Sequence, residues 1–150
     1  MSEIVSISCP VSAERINGQV VRVTAAFVVI ITGIGLYYAS PFVFLFLAID
    51  FAFRAFGLAK YSVLKHASAI VIKTLQIKPT YTDAAPKKFA ASLGLLFCLL
   101  LFVLTLASFK IAFVSVGALL VLCALLESLL NICLGCHVYT FINTLLKRKV

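Results

Sequence analysis

Three long apolar runs, nearly free of charge, dominate this chain. Residues 23–49 and 89–109 carry no charged side chain, and residues 111–146 carry only Glu127. An α-helix needs about 20 mostly apolar residues to cross about 30 Å of hydrocarbon. Charged residues make up 12% of the 150 residues, whereas a soluble domain has about 25%. The sequence therefore predicts a single all-α domain over residues 1–150, integral to a membrane.

The runs divide into four predicted spans. Tyr37 and Tyr38 are aromatics of the kind found at membrane interfaces, and Pro41 disfavours helix in the residue before it, so a hairpin turn is expected there. A helix over residues 111–146 would measure about 54 Å, so the last span should leave the membrane near Gly135. The predicted spans are residues 19–38, 41–58, 89–109 and 111–134, with a surface segment at 136–150. The expected fold is an integral membrane four-helix bundle.

The basic residues predict the orientation of this bundle. With four spans, twelve of the 13 Lys and Arg residues fall on the side of the two chain ends, and only Lys110 falls on the other. Loops rich in Lys and Arg stay in the cytoplasm, so both termini are predicted to be cytoplasmic. The net charge of +8 is spread between the apolar runs. We therefore expect the lipid bilayer as its partner, and no nucleic acid.

The connection between the second and third spans is long enough to form a helix of its own. Residues 60–76 carry apolar side chains at helical spacing, which predicts an amphipathic interfacial helix on the inner leaflet. These side chains are Leu64, Ala67, Val71 and Leu75.

Three of the five cysteines are candidates for thiol chemistry. Cys9 precedes Pro10, which suits the first helical position, so Cys9 would cap a helix N-terminus, where a thiolate is favoured. Cys133 and Cys136 form a Cys-x-x-Cys pair at the predicted cytoplasmic boundary, with Gly135 as the expected helix terminator. Cys9 is the predicted nucleophile and the pair its resolving partner. The other two, mid-span among leucines, are expected to pack as small apolar groups; they are Cys98 and Cys123.

Other chemistries of these cysteines are disfavoured. Cys133, Cys136 and His137 match the pattern that attaches haem c, but such haems are attached on the exported side. Zinc binding by these residues with Cys9 would need ligands from adjacent residues. A quinone-linked thiol oxidase would also need the pair on the exported face. No metal and no cofactor are therefore expected.

Polar residues within the spans are costly in lipid and therefore informative. With Ser12, the residues Arg15, Gln19 and Arg22 recur at helical spacing and predict one polar stripe. Asp50 and Arg54 are four apart on the second span, and Glu127 on the fourth is expected to neutralise Arg22 or Arg54. Together these groups predict a cationic recess for a small anion. Its predicted substrate-binding residues are Arg15, Gln19, Arg22, Arg54 and Glu127.

A set of short motifs resembles a family of small bacterial membrane proteins. The motifs are Cys9-Pro10, Arg15-Ile16-Asn17, Pro86-Lys87-Lys88-Phe89-Ala90 and Cys133-Leu134-Gly135-Cys136. The family is described as domain of unknown function 4395, and the resemblance covers nearly the whole chain. It implies a protein of the bacterial inner membrane, with the cysteines as family features. Where the family has an arginine this chain has Lys88, which keeps the charge but not the planar fork.

Three functions follow as hypotheses. The first is a membrane-embedded thiol protein that transfers redox equivalents or persulfide sulfur through Cys9, Cys133 and Cys136, with a soluble thiol or sulfur-carrier protein as partner. The second is a transporter of a small sulfur-containing anion, with Arg15 and Arg22 as selectivity elements. The third is a structural or accessory membrane subunit, which requires no reactive cysteine.

Overall fold

The computed structural model describes residues 15–130 and 134–148, and this part of the chain is all-α apart from two three-residue strands. The elements in chain order are β1 (Arg15–Asn17), α1 (Gly18–Tyr38), α2 (Pro41–Ala55), α3 (Val63–Thr74), β2 (Tyr81–Asp83), α4 (Ala84–Leu106), α5 (Lys110–Leu130) and α6 (Leu134–Arg148). A short 3-10 helix, Ala59–Tyr61, links α2 to α3. The prediction of an all-α protein is confirmed.

Three helices of the described chain are long and apolar enough to cross a membrane. They are Gly18–Tyr38, Pro86–Leu106 and Lys110–Leu130, with 21 residues each. The remaining predicted span, the second in chain order, corresponds to α2, which has 15 residues. At 1.5 Å per residue α2 is about 22 Å long, shorter than the roughly 30 Å of hydrocarbon. Three spanning helices are therefore found, and the four-span bundle stays a prediction.

The hairpin between α1 and α2 forms where the sequence predicted it. Ala39 ends α1 in the left-handed conformation with a φ of 48°, and Ser40 precedes Pro41 at the first position of α2. Proline is tolerated there because its missing N–H would have no partner within the helix. This tight turn makes α1 and α2 antiparallel.

Close helix packing depends on two glycines. A Cβ at Gly94 of α4 would lie 2.6 Å from the Phe51 ring of α2, and a Cβ at Gly117 of α5 would clash with Leu36 of α1. Small residues let helices approach closely in membranes, where lipid supplies little hydrophobic force for association. α2 therefore packs on α4, and α1 packs on α5. The core between them includes the fully buried side chains Phe44, Leu47, Cys98 and Leu101.

Helix α3 packs on α1, with a buried face different from the predicted one. Leu64 is buried as expected, but Leu75 is 64% exposed, and Ser68 and Ile72 are buried instead. Ser68 can face the bundle because its hydroxyl is satisfied there. The Ser68 Oγ donates to the Leu64 carbonyl oxygen at 2.7 Å and accepts from the Thr24 hydroxyl at 2.8 Å.

A buried carboxylate fixes the start of α3. Asp50, only 4% exposed on α2, accepts hydrogen bonds from the Ser62 hydroxyl at 2.8 Å and the Leu64 backbone N–H at 3.2 Å. The Ser62 Oγ also caps α3 by accepting from the Lys65 N–H at 3.2 Å. A buried charge is tolerated only when it is hydrogen-bonded in this way. Asp50 thus attaches α3 to the end of α2.

The first described residues are attached to the loop before α4. β1 and β2 pair antiparallel, with Arg15 opposite Asp83. The Asn17 side chain caps α1 by accepting from the Gln19 N–H at 3.0 Å, and it also accepts from the Thr80 N–H at 3.3 Å. Helix α1 therefore begins at Gly18, and the helix start predicted at Cys9 and Pro10 lies outside the described residues.

The expected role of Gly135 as a helix terminator is wrong. Helix α5 ends at Leu130 and α6 begins at Leu134, so Gly135 lies in the first turn of α6. A Cβ at this position would lie 2.9 Å from the Ala90 Cα, so the glycine permits close packing of α6 on α4. The predicted surface segment 136–150 is thus helical through Arg148, with one exposed apolar face.

The hydrogen-bonding role of Ser62 predicts its contribution to stability. Replacing Ser62→Ala removes the cap of α3 and one donor to the buried Asp50 carboxylate, which together should lower the free energy of unfolding by about 2 kcal/mol. Ser115 is the matched control, because its exposed hydroxyl donates only to the Ile111 carbonyl within its own helix. Ser115→Ala should change stability by less than about 0.5 kcal/mol. Unfolding by sodium dodecyl sulfate in mixed micelles measures the change in free energy of unfolding for each variant. Equal changes in the two variants would contradict the role of Ser62.

Candidate functional site

A cavity of about 310 Å³ opens at the end of the bundle where α1 and α4 begin and α2 ends. We name it the cationic cavity. The basic residues of its wall are Arg15, Arg54, Lys65, Lys87 and Lys88. None of the described wall residues is acidic. It lies at the protein surface, because Arg15 and Gly57 in its wall are exposed. We call this end of the bundle the basic end.

Each basic residue of the wall is positioned by a different local structure. Arg15 lies on β1, Arg54 in the last turn of α2, and Lys65 in the first turn of α3. Lys87 and Lys88 lie in the opening turns of α4. The fold thus brings together charges that are up to 73 positions apart in the sequence, the separation of Arg15 and Lys88.

Backbone groups add positive potential to the same wall. Asn17, the cap of α1, and Ala84, the first residue of α4, both line the cationic cavity. The N-terminal end of a helix carries partial positive charge. In α1 the first two N–H groups already donate, to the Thr80 carbonyl and the Asn17 side chain, so this end contributes through its dipole. Gly57 turns the chain after α2 with a φ of 79°, and a Cβ there would lie 3.5 Å from the Lys88 Nζ. The Lys88 ammonium therefore lies directly beside an exposed turn.

An ion pair lies at the inner side of this site. The Lys87 Nζ donates to Glu127 Oε1 at 2.8 Å, with 12% and 17% of the two side chains exposed. The sequence predicted that Glu127 would neutralise Arg22 or Arg54, and the structure pairs it with Lys87. Glu127 lies on α5, so this contact connects α5 to the first turns of α4.

A second cavity of about 320 Å³ lies beyond this ion pair, within the bundle. Its wall is mostly apolar and comes from five helices: α1, α2, α4, α5 and α6. We name it the apolar cavity. Glu127 and Cys123 lie in its wall, and Arg54 lies in the walls of both cavities. The Arg54 guanidinium carbon is 5.3 Å from the centroid of the Phe51 ring, a cation–π distance.

The predicted polar stripe on the first span is only partly present. Arg15 lies on a strand, so it does not continue the helical spacing of Gln19 and Arg22. The Arg22 guanidinium donates to the carbonyl oxygens of Ser128 and Leu129 at 3.1 and 3.3 Å. These carbonyls belong to the last described turn of α5. Arg22 therefore connects α1 to this end of α5.

Gln19 also makes a contact outside the cationic cavity. Its side-chain nitrogen donates to the Thr80 hydroxyl at 3.4 Å. Of the five predicted substrate-binding residues, Arg15 and Arg54 line the cationic cavity and Glu127 lines the apolar one.

Sequence reasoning missed three basic residues of this site. Lys65 was assigned to a helix expected to lie on the lipid surface, whereas α3 packs on α1 and directs Lys65 into the wall. Lys87 and Lys88 follow Pro86 at the start of the third apolar run. This position could have indicated that they lie at the basic end of the bundle. Basic residues at the start of a span usually anchor it at the membrane interface. The sequence therefore did not indicate that Lys87 and Lys88 line a cavity.

The predicted thiol site lies only in part within the described residues. Cys9 and Cys133 lie outside the described residues. Cys136 lies in the first turn of α6, and its side chain also falls outside the description. Cys98 is fully buried in the core, as expected for a packing residue, and Cys123 is partly buried. Within the described residues no group of three or more His, Cys, Asp or Glu side chains is arranged to hold a metal ion.

Over the described residues, the fold and this site define an all-α protein with three apolar helices of spanning length and a cationic cavity at one end of the bundle. Comparison with known families matches residues 16–144 to the family described as Domain of unknown function (DUF4395). The chain belongs to this family. No curated protein and no solved structure matches it.

Proposed function

We propose that this protein binds a small anion in the cationic cavity, at the cytoplasmic face of the bacterial inner membrane. The observation that carries the proposal is the convergence of five basic side chains and two helix N-termini on about 310 Å³. Glu127 neutralises one of the five, Lys87. The described wall holds four further basic side chains and no acidic one, so a bound anion would be attracted to it. Lys and Arg donors with helix N-terminal amides are the usual ligands of phosphate and sulfate groups.

The orientation within the membrane is part of this proposal. We infer four spans, with the 15-residue α2 crossing where the bilayer thins locally to match its length of about 22 Å, and with α3 as the interfacial helix. The basic end would face the cytoplasm, since basic loops are retained there. Lys110, at the start of α5, would lie at the exported end beside the aromatic pair Tyr37 and Tyr38.

Cysteine labelling tests this orientation. In a cysteine-free background, Ser108→Cys reports the exported end and Lys78→Cys the basic end; both positions are exposed. A membrane-impermeant maleimide should label Ser108→Cys in intact spheroplasts and Lys78→Cys only after the membrane is opened. The reverse pattern would overturn the cytoplasmic orientation.

Anion binding is tested directly by equilibrium dialysis of radiolabelled sulfate, thiosulfate or phosphate. The protein is held in nanodiscs of zwitterionic lipid, so that lipid charge does not contribute. Lys88→Gln should weaken binding by at least about tenfold, because a charge-assisted hydrogen bond contributes about 1.5–3 kcal/mol. Lys110→Gln is the matched control: it removes the same charge from the other end and should leave binding unchanged. Equal losses in both variants would indicate a general charge effect and contradict the site.

A thiol function is the second candidate, and the position of Cys136 favours it. Cys136 lies in the first turn of α6, and Gly135 in that turn packs against Ala90, two residues after Lys88. A helix N-terminus near basic groups favours the thiolate form. Such a thiolate can take the outer sulfur of a donor persulfide, becoming a persulfide itself while the donor leaves as its thiolate. Cys9 and Cys133 would complete the site, with a soluble sulfur carrier as partner.

Oxidative crosslinking tests this candidate. Gentle oxidation of the purified protein should join Cys9 to Cys133 or Cys136, which requires Cα atoms within about 7 Å. Mass mapping identifies the bond, and Cys136→Ser should alter the product. Cys98, fully buried, is the internal control and should react only after unfolding. Absence of any Cys9 crosslink, with equal labelling rates at all cysteines, would leave an accessory subunit as the better account of the cysteines.

A further inference from the structure

The two cavities adjoin each other and differ in chemistry. Arg54 belongs to both walls, and the Lys87–Glu127 ion pair has its ammonium in the wall of the cationic cavity and its carboxylate in that of the apolar cavity. The cationic cavity is at the surface of the basic end. The apolar cavity runs inward along α4 from Ala90 to Phe97. A polar compartment thus adjoins an apolar one, with Arg54 and the Lys87–Glu127 ion pair at the boundary.

The apolar cavity has the size of a short hydrocarbon chain. Its volume is about 320 Å³, room for on the order of ten groups of about 30 Å³, the volume of one water molecule in the liquid. Its walls include Val28, Phe51 and Leu120, which are at least nine-tenths buried. Water gains few hydrogen bonds along such a wall, whereas a hydrocarbon chain would contact its apolar side chains.

We propose that the ligand is an amphiphilic anion, with its phosphate-like or carboxylate head in the cationic cavity and one hydrocarbon chain in the apolar cavity. This inference rests on the proposed anion site and names the class of its ligand. Arg54 is the residue expected to contact the ligand where head and chain meet. Its guanidinium is charged, and its stem and the stacked Phe51 ring are apolar.

The ligand can come from two sources that share this chemistry. A free alkyl phosphate or fatty acid would enter from the cytoplasmic leaflet with one chain. A membrane phospholipid such as phosphatidic acid would place one chain in the apolar cavity and leave the other in the bilayer. Both have an anionic head and at least one chain, and competition between them distinguishes the sources.

Tryptophan fluorescence provides the test, because the chain contains no Trp. Phe97→Trp places a reporter in the wall of the apolar cavity, and Leu96→Trp places one at nearly the same depth on the outer surface, where Leu96 is 61% exposed. The probe is 10-bromodecyl phosphate, whose terminal bromine quenches Trp on contact. The protein is held in phosphatidylcholine nanodiscs. Quenching of Phe97→Trp should saturate, and that of Leu96→Trp should rise linearly with the probe content of the lipid.

Three further measurements test which part of the ligand the site recognises and where the ligand comes from. The neutral 10-bromodecanol should give no saturable quenching in either reporter. Lys88→Gln in the Phe97→Trp background should raise the half-saturating probe concentration by at least about tenfold, and Arg54→Gln should do the same. Lys110→Gln should have no effect. Competition by phosphatidic acid at equal mole fraction would assign the site to a membrane lipid, and competition by decyl phosphate alone to a free amphiphile.

The outcomes separate this inference from the anion site on which it rests. Radiolabelled phosphate that binds while both reporters are quenched linearly would overturn the amphiphile and retain the small-anion site. Saturable quenching by bromodecanol as well would overturn the role of the anionic head. Failure of both phosphate binding and saturable quenching would overturn the proposed function itself.

Discussion

The Lys87–Glu127 ion pair is the contact on which the arrangement of the basic end depends. Both side chains lie mostly out of solvent, and a lone charge at either position would be strongly unfavourable. The pair holds the start of α4 against the end of α5, and it lies where the cationic and apolar cavities meet. Asp50 has a comparable role at the start of α3, where Ser62 and Leu64 donate to it. Charges that would be costly inside an apolar bundle therefore determine how its helices meet at one end.

This arrangement explains why one end of the bundle can hold a polar site while the rest remains apolar. Toward the opposite end the contacts are close-packed and apolar, as where Gly117 admits Leu36. Toward the basic end the helices are joined also through hydrogen bonds and an ion pair, as where Arg22 donates to carbonyls in the last described turn of α5. The two cavities lie between the helices in this region.

Much of the helical framework could be predicted from the sequence, because charge-free runs and a proline after Tyr37 and Tyr38 leave few alternatives. The site was less predictable, because it depends on long-range contacts that no local pattern reveals. Arg15 was placed on a helix by its spacing, but pairing of its strand with Tyr81–Asp83 gives it an extended backbone. Gly135 was predicted to end a helix because glycine is common there. In the structure its missing side chain instead allows α6 to pack closely against Ala90. Ser68 was not among the apolar side chains predicted to form the buried stripe of α3, and its burial is explained by hydrogen bonds to the Thr24 hydroxyl and the Leu64 carbonyl.

The most direct test of the anion site is a crystal structure of the protein grown with selenate, an anomalous scatterer with the shape and charge of sulfate. A single strong anomalous peak is expected in the cationic cavity, within hydrogen-bonding distance of Lys88 or Arg54. The peak should be absent from crystals of Lys88→Gln and present in crystals of Lys110→Gln. A cavity without anomalous density at saturating selenate, or peaks only at Lys110 and other exposed cations, would contradict the proposed site.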